Sequence, residues 1–468
     1  MKNKIIFVLI SIVIGMCANV FAQDNNYWAR QYGSISSVLG GAVVGSHNDN
    51  GSIYYNPATL SFTDSIKLSV SSGLYEGSFW KISNGIKTGE AIFSTDAKRF
   101  PIAIFPAFNL KKGFKLGLIY LPRLYSNYYL HEGQLDYVDV LHNNSPVSLY
   151  SSFDYKNYVN EWWYGLSLSK KLKNHSSIGI IPFVSYRSQR FSYQYGADAL
   201  LDSANAQYLN TFVQKYVRYY NYKFILKGGY YYTSEKFSFG AAVTAPAFTA
   251  LSSGTSSARI YLNGYSVINP QASNQYFVAD EQVELKANHK YPFTISLGCK
   301  LASSKCIYYL STETFFKINT YNVVDLENRK IQFPIYSNLN STDLIGVQSA
   351  SRFMTNVAFG FQYKYRRTKT LSGGFSTDFN SLPKDFTQTG TNVNTSNWDL
   401  YHLSIGFDTN IKKIKLSVGI RSSFGYKNDN LQFADIKTAA GDNLLYGDRE
   451  AKSNYTYGDL SLLLGFNF

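Results

Sequence analysis

Apolar and polar residues alternate with a period of two through much of the chain. In the last stretch Leu460, Leu462, Leu464, Phe466 and Phe468 share one face, and Asp459, Ser461, Gly465 and Asn467 share the other, with Leu463 breaking the pattern. Phe237, Phe239, Ala241, Val243 and Ala245 alternate with Lys236, Ser238, Gly240, Ala242 and Thr244. Val357, Phe359, Phe361 and Tyr363 alternate with Asn356, Ala358, Gly360 and Gln362, and Ile414, Leu416, Val418 and Ile420 with Lys413, Lys415, Ser417, Gly419 and Arg421. A period of two is that of a strand with unlike faces. A soluble sandwich also alternates, but it seldom sets Lys, Arg and Gly so regularly opposite its apolar face. Strands that turn apolar residues to lipid and small or polar ones to a lumen do. The expected fold class is all-β, a transmembrane antiparallel β-barrel of about fourteen strands.

The strands are placed to begin near Ile66, Phe100, Phe114, Trp162, Ser177, Phe212, Phe237, Tyr291, Cys306, Phe353, Thr368, Leu400, Lys413 and Thr456. Connections after the even-numbered strands are brief, as at Lys111-Lys112-Gly113, Lys173-Asn174-His175 and Arg366-Arg367. Those after odd-numbered strands are long, as at Ser126 to Tyr158, Ser192 to Thr211 and Phe248 to Lys290. Outer-membrane barrels have this asymmetry, with short periplasmic turns and long external loops. An even strand count puts both termini in the periplasm.

Residues 1–22 read as a secretory signal peptide, with Lys2 and Lys4 before an apolar run and Val20-Phe21-Ala22 at the cleavage site. Cys17 raises a lipoprotein alternative, which the bulky Met16 before it disfavours. The mature chain keeps 43 of the 45 basic residues against 31 acidic, a formal charge of +12. The basic residues are dispersed and several sit in short turns beside lipid head groups, so nucleic acid is not an expected partner. Composition is 17% aromatic, and no segment after the signal has the roughly 18 apolar residues of a membrane helix.

Between signal and strands lies SSVLGGAVVGSHNDNGSIYYNPATLSF, residues 36–62, a Gly-rich apolar run that ends in a turn at Asn56-Pro57. An Asp followed by an aromatic-Asn-Pro-Ala segment, here Asp49 and Tyr55-Asn56-Pro57-Ala58, resembles the N-terminal hatch of the FadL-type outer-membrane transporters of hydrophobic compounds. The resemblance, to a distant Bacteroidetes-like member, implies a hatch or plug over residues 23–65 inside a barrel over 66–468, with Asp49, Asn56, Pro57 and Ala58 at the hatch or gate. It also implies a lateral exit at an irregular third strand. Pro122 is the candidate there, although it equally suits a strand end. The family uses loop helices to capture ligand, and Leu200, Leu201, Ala204, Tyr208 and Phe212 have near-helical spacing in the third external loop.

By alternation Lys115, Glu313, Lys317, Lys415 and Arg421 face the lumen and are candidates to line a ligand path. Basic groups could meet a carboxylate head while a hydrocarbon tail packs on aromatics. Solvated lining and internal ion pairs account for the same residues without a ligand. The six histidines are scattered, and no GxSxG or HExxH pattern occurs. His402, Ser404 and Asp408 share a strand face but stand about 7 Å apart per step, too far for a triad on their own. No enzyme activity, cofactor or metal is expected. Cys299 and Cys306 flank a short turn; with Ala302 and Ser303 at its centre they sit opposite each other on the lipid face, either bridged or free.

The expected function is passive uptake of hydrophobic molecules such as long-chain fatty acids or hydrocarbons through the outer membrane of a Gram-negative bacterium. The expected partners are the hydrophobic ligand, outer-membrane lipids and the barrel-assembly machinery, which the terminal Phe468 suits, with the protein a monomer. The alternative is a non-transporting FadL-like barrel in protein secretion or in a structural role.

Overall fold

The structure is a computed structural model that describes residues 25–468 except 64–65, 99–101, 203–206, 269–273, 334–335, 367, 388–389 and 395–397. The signal-peptide assignment, Ala204 and the expected start at Phe100 lie outside the described residues. In chain order the strands are β1 (Leu68–Ser83), β2 (Ala91–Lys98), β3 (Ala103–Asn109), β4 (Phe114–Val138), β5 (Val147–Lys173), β6 (Ser176–Asp202) and β7 (Gln207–Thr233). Next come β8 (Phe237–Thr244), β9 (Phe248–Asn263), β10 (Gln275–Leu285), β11 (Thr294–Ala302), β12 (Cys306–Phe315), β13 (Ile318–Asn322), β14 (Lys330–Phe333), β15 (Tyr336–Asn340) and β16 (Gln348–Ser351). The chain ends with β17 (Met354–Arg366), β18 (Lys369–Asp378), β19 (Asp399–Ile411), β20 (Ile414–Leu431) and β21 (Lys452–Asn467).

Fourteen of the wall positions form a closed antiparallel barrel. Neighbours pair in sequence order, and β1 closes on β21 from Ser69↔Asn467 to Ser83↔Asn454. The second position is shared: β3 pairs with the lower part of β1 and β2 with its upper part. On the outer surface Leu166, Leu168, Ile178, Ile180, Phe224, Leu297, Phe359 and Ile420 are exposed. Exposed tyrosines flank this apolar band, Tyr164, Tyr220 and Tyr222 above and Tyr230, Tyr232 and Tyr363 below. An apolar belt between aromatic girdles is the form that suits a bilayer.

The strands on one side run far beyond that belt. β5, β6 and β7 have 27 residues each, about 90 Å of chain at 3.3 Å per residue, against the 9–11 residues that cross a membrane. The stretches expected as loops between Ser126 and Tyr158 and between Ser192 and Thr211 are therefore largely ladder. The third external loop is not a helix but the tip of the β6–β7 hairpin. Leu200 and Tyr208 are paired across it and exposed, Phe212 faces Gly196, and Leu201 packs on the upper core. Positions eight apart here meet across the β6–β7 ladder rather than along a helix face, as Leu200 and Tyr208 do. β9 and β10 add a hairpin to the upper half of β7, which pairs with β9 above Phe224 and with β8 below Lys227.

The β11–β12 register corrects the expected turn. Ala302 pairs with Ile307, and Cys299 faces Leu310, so the two cysteines are not opposite each other, and both are free. Alkylation of the denatured, unreduced protein is expected to add two thiol labels to the mature chain. Intact mass measurement checks this.

Candidate functional site

Residues 25–63 fill the lower lumen. Asp49 organises them, with its side chain fully buried. One carboxylate oxygen accepts from the amides of Ile35 (2.5 Å) and Ser36 (2.9 Å) and from the Ser34 hydroxyl (3.2 Å). The other accepts from the Ser36 hydroxyl (2.8 Å) and the Ser52 amide (3.2 Å). The carboxylate thus gathers two turns of the plug around one charge, taking up donors that would otherwise be buried unsatisfied. Gly33, at φ +100°, makes the first turn possible: a Cβ there would lie 2.7 Å from the Asp49 carboxylate.

Asn56 ties the plug to the wall. Its amide donates to the carbonyls of Val44 (3.0 Å) and Tyr230 on β7 (2.9 Å), while its oxygen accepts from the Ala58 amide (3.1 Å) and caps the short 3₁₀ turn Pro57–Phe62. The Ala58 carbonyl accepts from Ser177 (2.7 Å) and Ser169 (3.3 Å). Pro57 sets the helical φ at the first position of the turn and lies against Gly179.

The wall meets the plug through glycine. Inward-facing glycines stand opposite each other across neighbouring strands as Gly179↔Gly229, Gly240↔Gly298, Gly360↔Gly374 and Gly406↔Gly419. A Cβ on Gly240 would fall 1.9 Å from the Val44 carbonyl oxygen, and one on Gly374 would fall 2.3 Å from the Leu39 carbonyl carbon. Backbone lies on backbone around the lumen, and a side chain in that row would lift the plug away. Sequence alternation showed several of these glycines, but not that the barrel brings them to the plug.

The expected lumen residues divide. Glu313 accepts from the Trp28 indole (2.6 Å) and from Thr294 (2.8 Å). Arg421 donates to the Ala29 carbonyl (3.2 Å) and is 3.6 Å from Glu76, whose carboxylate also lies 3.9 Å from Arg30. Lys115 is buried on the inner face and Lys415 half-buried at the lower end of β20. Lys317 is a correction: β12 ends at Phe315, so the alternation no longer holds, and Lys317 is exposed at the start of the connection. Ser404 donates to the Val38 carbonyl, and Asp408 accepts from Ser372 (2.7 Å) and Ser417 (2.6 Å), both tied into the packing of the lumen.

A second buried cluster escaped the sequence reading. Glu161 accepts from the Trp163 indole (2.7 Å), Ser185 (2.9 Å), Arg187 (3.1 Å) and Lys223 (3.2 Å). Glu161 and Arg187 are direct register partners. Starting the fourth strand at Trp162 cut this pair off by one residue. Continuing the alternation upward would have found it.

The third barrel strand is irregular. β4 pairs with β5 as Pro122↔Trp162 and then Leu124↔Glu161, leaving Arg123 as an extra residue in a bulge. Below it β4 pairs with β3 up to Ile104↔Tyr120; above it, among the described residues, no ladder joins β4 to β2. The opened carbonyls of Pro122 and Arg123 accept from the Tyr32 hydroxyl of the plug, at 2.9 and 3.0 Å. The Arg123 guanidinium lies over the Trp163 ring at 5.6 Å. Inside this point is a cavity of about 40 Å³ beside Arg30, Tyr32 and Glu76. Outside it is an apolar groove of about 560 Å³ lined by Ile104, Pro106, Leu118 and Tyr120 with β5–β7 residues.

Above the plug, under the external connections, a chamber of about 520 Å³ is lined by Trp80, Tyr155, Phe191, Phe433 and Tyr455, with Lys215 and Arg449 as its cations. Lys215 lies in the part of β7 beyond the apolar belt and donates to the Gly390 carbonyl at 2.6 Å. Burial pulls its ammonium down to about 8. Volume and lining suit a small apolar ligand.

Two substitutions test this construction. Gly240→Val should overpack the plug seat, costing about 1–3 kcal/mol and lowering the melting temperature. Asp49→Ala should take the carboxylate from five donors, of which the Ile35 and Ser36 amides and the Ser36 hydroxyl have no other acceptor among the described residues, destabilising the plug by about 1–3 kcal/mol or more. Limited proteolysis in detergent is expected to cut within residues 30–60 of the Asp49 variant while sparing the parent protein.

No family model matches the sequence, and no curated protein does. Solved structures do. The fold is similar to that of a FadL homologue from Pseudomonas aeruginosa, at 12% identity and a TM-score of 0.53 over 97% of this chain and 99% of that one. It is similar to the toluene transporter TodX of Pseudomonas putida, at 14% identity and a TM-score of 0.55 over 94% of this chain and 99% of that one. It is also similar to the toluene transporter TbuX of Ralstonia pickettii, at 12% and 0.51 over 94% and 99%. In fold, therefore, the chain is a fourteen-strand antiparallel β-barrel similar to those of FadL-type proteins.

Proposed function

We propose that the protein is a monomeric outer-membrane channel of a Gram-negative bacterium for passive uptake of hydrophobic molecules, long-chain fatty acids or hydrocarbons among them, with no covalent chemistry. The observation that carries this reading is the bulge of the third barrel strand at Pro122–Leu124, whose carbonyls accept from one plug hydroxyl on the inside, next to an apolar outer groove at Leu118–Tyr120. The fold shared with channels named for toluene supports it.

Cargo would enter the aromatic chamber, where Lys215 and Arg449 offer a carboxylate two cations and the rings take the hydrocarbon. The 40 Å³ cavity beneath is far below the ~150 Å³ that receives a benzene ring. A closed state fits this volume, and passage would require local movement. Asp49, Asn56 and the glycine row hold the body of the plug. The segment from Trp28 to Gly33, with Tyr32 on the bulge, is the part whose shift opens a sideways path into the bilayer.

Deletion of the gene should lower initial uptake of labelled oleate or toluene several-fold; unchanged uptake of both would refute the proposal. Tyr32→Phe removes the donor from two bulge carbonyls, raising the closed state by about 1–2 kcal/mol. It should speed uptake roughly threefold to tenfold in cells with equal barrel content. Lys215→Met should weaken oleate binding and leave toluene binding unaltered, read by fluorescence competition on the purified protein.

A further inference from the structure

The outer face of β5, β6 and β7 carries charges that the channel does not use. Arg190 and Arg218 are direct register partners on β6 and β7. Both are exposed, and both point away from the lumen, since their chain neighbours Gln189, Phe191, Val217 and Tyr219 are buried on the inner face. Like charges placed opposite each other on a ladder are destabilising. Among the described residues no ion pair links either arginine to a carboxylate, so no described ion pair offsets that cost. Lys156 stands diagonally above on β5, where Tyr158 pairs with Arg190 and Lys156 with Ser192.

The three cations open on one groove of about 770 Å³, whose far side is Ser94–Asp96 of β2. The Asp96 carboxylate belongs to this groove, and Asp154 lies 3.6 Å from Lys156. Three cations against two carboxylates still leave a positive site, with the arginine pair at its centre. The groove sits just above the upper tyrosine girdle, the level of lipid head groups. Directly below it, on the same strands, Leu166, Pro182, Val184 and Phe224 line the apolar groove of about 560 Å³. On β6 the outward positions run from Arg190 through Tyr186 to Pro182, about 26 Å of strand. At a tilt of 35–45° this is about 20 Å of depth, a head group and one leaflet of acyl chain.

We propose that the double groove binds a phosphorylated lipid of the outer leaflet, its phosphate bridging Arg190 and Arg218 and an acyl chain lying along Val184 and Phe224. A phosphate accepts bidentate bonds from guanidinium groups and cancels their mutual repulsion. The proposal rests on the membrane placement of the wall and needs no transport step. The acyl chain is what cargo leaving through the wall break would meet.

The test uses the purified full-length protein, with barrel formation verified by heat-modifiable gel mobility. It is mixed with diphosphoryl lipid A, with the fully dephosphorylated lipid, or with inorganic phosphate alone, and bound species are counted by native mass spectrometry. One diphosphoryl lipid should be retained by the parent protein and, less tightly, by Arg190→Lys/Arg218→Lys, which keeps the charge but loses the bidentate fork. Retention should fall at least tenfold for Arg190→Ser/Arg218→Ser and for the dephosphorylated lipid. Phe224→Ser, which leaves the cations in place, should also weaken retention, and it decides the matter if the serine double variant loses the barrel. Equal retention by the parent protein and the serine variant would overturn the proposal. So would displacement of the lipid by an equal concentration of inorganic phosphate, which would leave a free-anion pocket only. The readout is lipid retention, so its failure is distinct from a failure of uptake.

Discussion

The structure depends on backbone meeting backbone between plug and wall. A fourteen-strand barrel encloses more space than its own inward side chains fill, and here the lower part of that space is taken by residues 25–63. They fit because the wall gives up side chains where they lie. The cross-strand glycine pairs Gly179↔Gly229, Gly240↔Gly298, Gly360↔Gly374 and Gly406↔Gly419 set pieces of bare wall against Pro57, Val44, Leu39 and Val38. Glycine in a strand interior costs backbone entropy and packing, and here the plug's apolar side chains supply the packing instead.

The plug has little regular structure to hold it in shape, one helical turn at Ser52–Tyr55 and one 3₁₀ stretch at Pro57–Phe62. Polar side chains do that work. Asp49 closes it on itself, Asn50 bonds the Phe105 carbonyl of β3 at 3.0 Å, and Asn56 reaches the Tyr230 carbonyl of β7. These anchors lie on opposite flanks of the wall break, so the body of the plug braces the third strand on both sides. The bulge at Arg123 is then the one irregular point in an otherwise continuous ladder between β4 and β5.

Most of the wall was legible in the sequence. Phe114, Phe237 and Cys306 begin their strands as alternation indicates, and most of the other starts lie within four residues, because lipid on one side and lumen on the other enforce the period. Trp162 and Phe212 are different. Above the belt both faces turn polar and aromatic, as in Asn157 to Glu161, and the contrast that reveals a strand fades although the ladder continues. The Asp-to-Asn-Pro-Ala spacing located the plug, but its contacts join residues up to several hundred positions apart, as when Asn26 bonds the Asp378 carbonyl. No local pattern records those. Pro122 borders the register shift of the third strand; that the inserted residue is Arg123, and that Tyr32 covers it, depends on the register of β5 and on the plug's path.

For the proposed channel, energies argue for a sideways path over a vertical one. A ligand descending through the lumen would have to part the Glu161 cluster and the Glu76–Arg421 pair, and separating a buried ion pair costs about 3–5 kcal/mol. It would then have to lift Asn56 and the Asp49-centred plug off the glycine row, adding several buried hydrogen bonds at about 1 kcal/mol each. The sideways route leaves Asp49, Asn56 and the glycine row in place: the Tyr32 hydroxyl leaves two carbonyls at the bulge, about 1–2 kcal/mol on the same scale, and the Trp28–Gly33 segment gives up local bonds such as those of Trp28 to Glu313 and Asp378. An apolar molecule also gains by reaching hydrocarbon directly, about 25 cal/mol for each Å² of apolar surface it keeps out of water. In the proposed channel the plug would therefore serve as the fixed inner wall of the gate, with the third strand and the segment around Tyr32 as its moving edge.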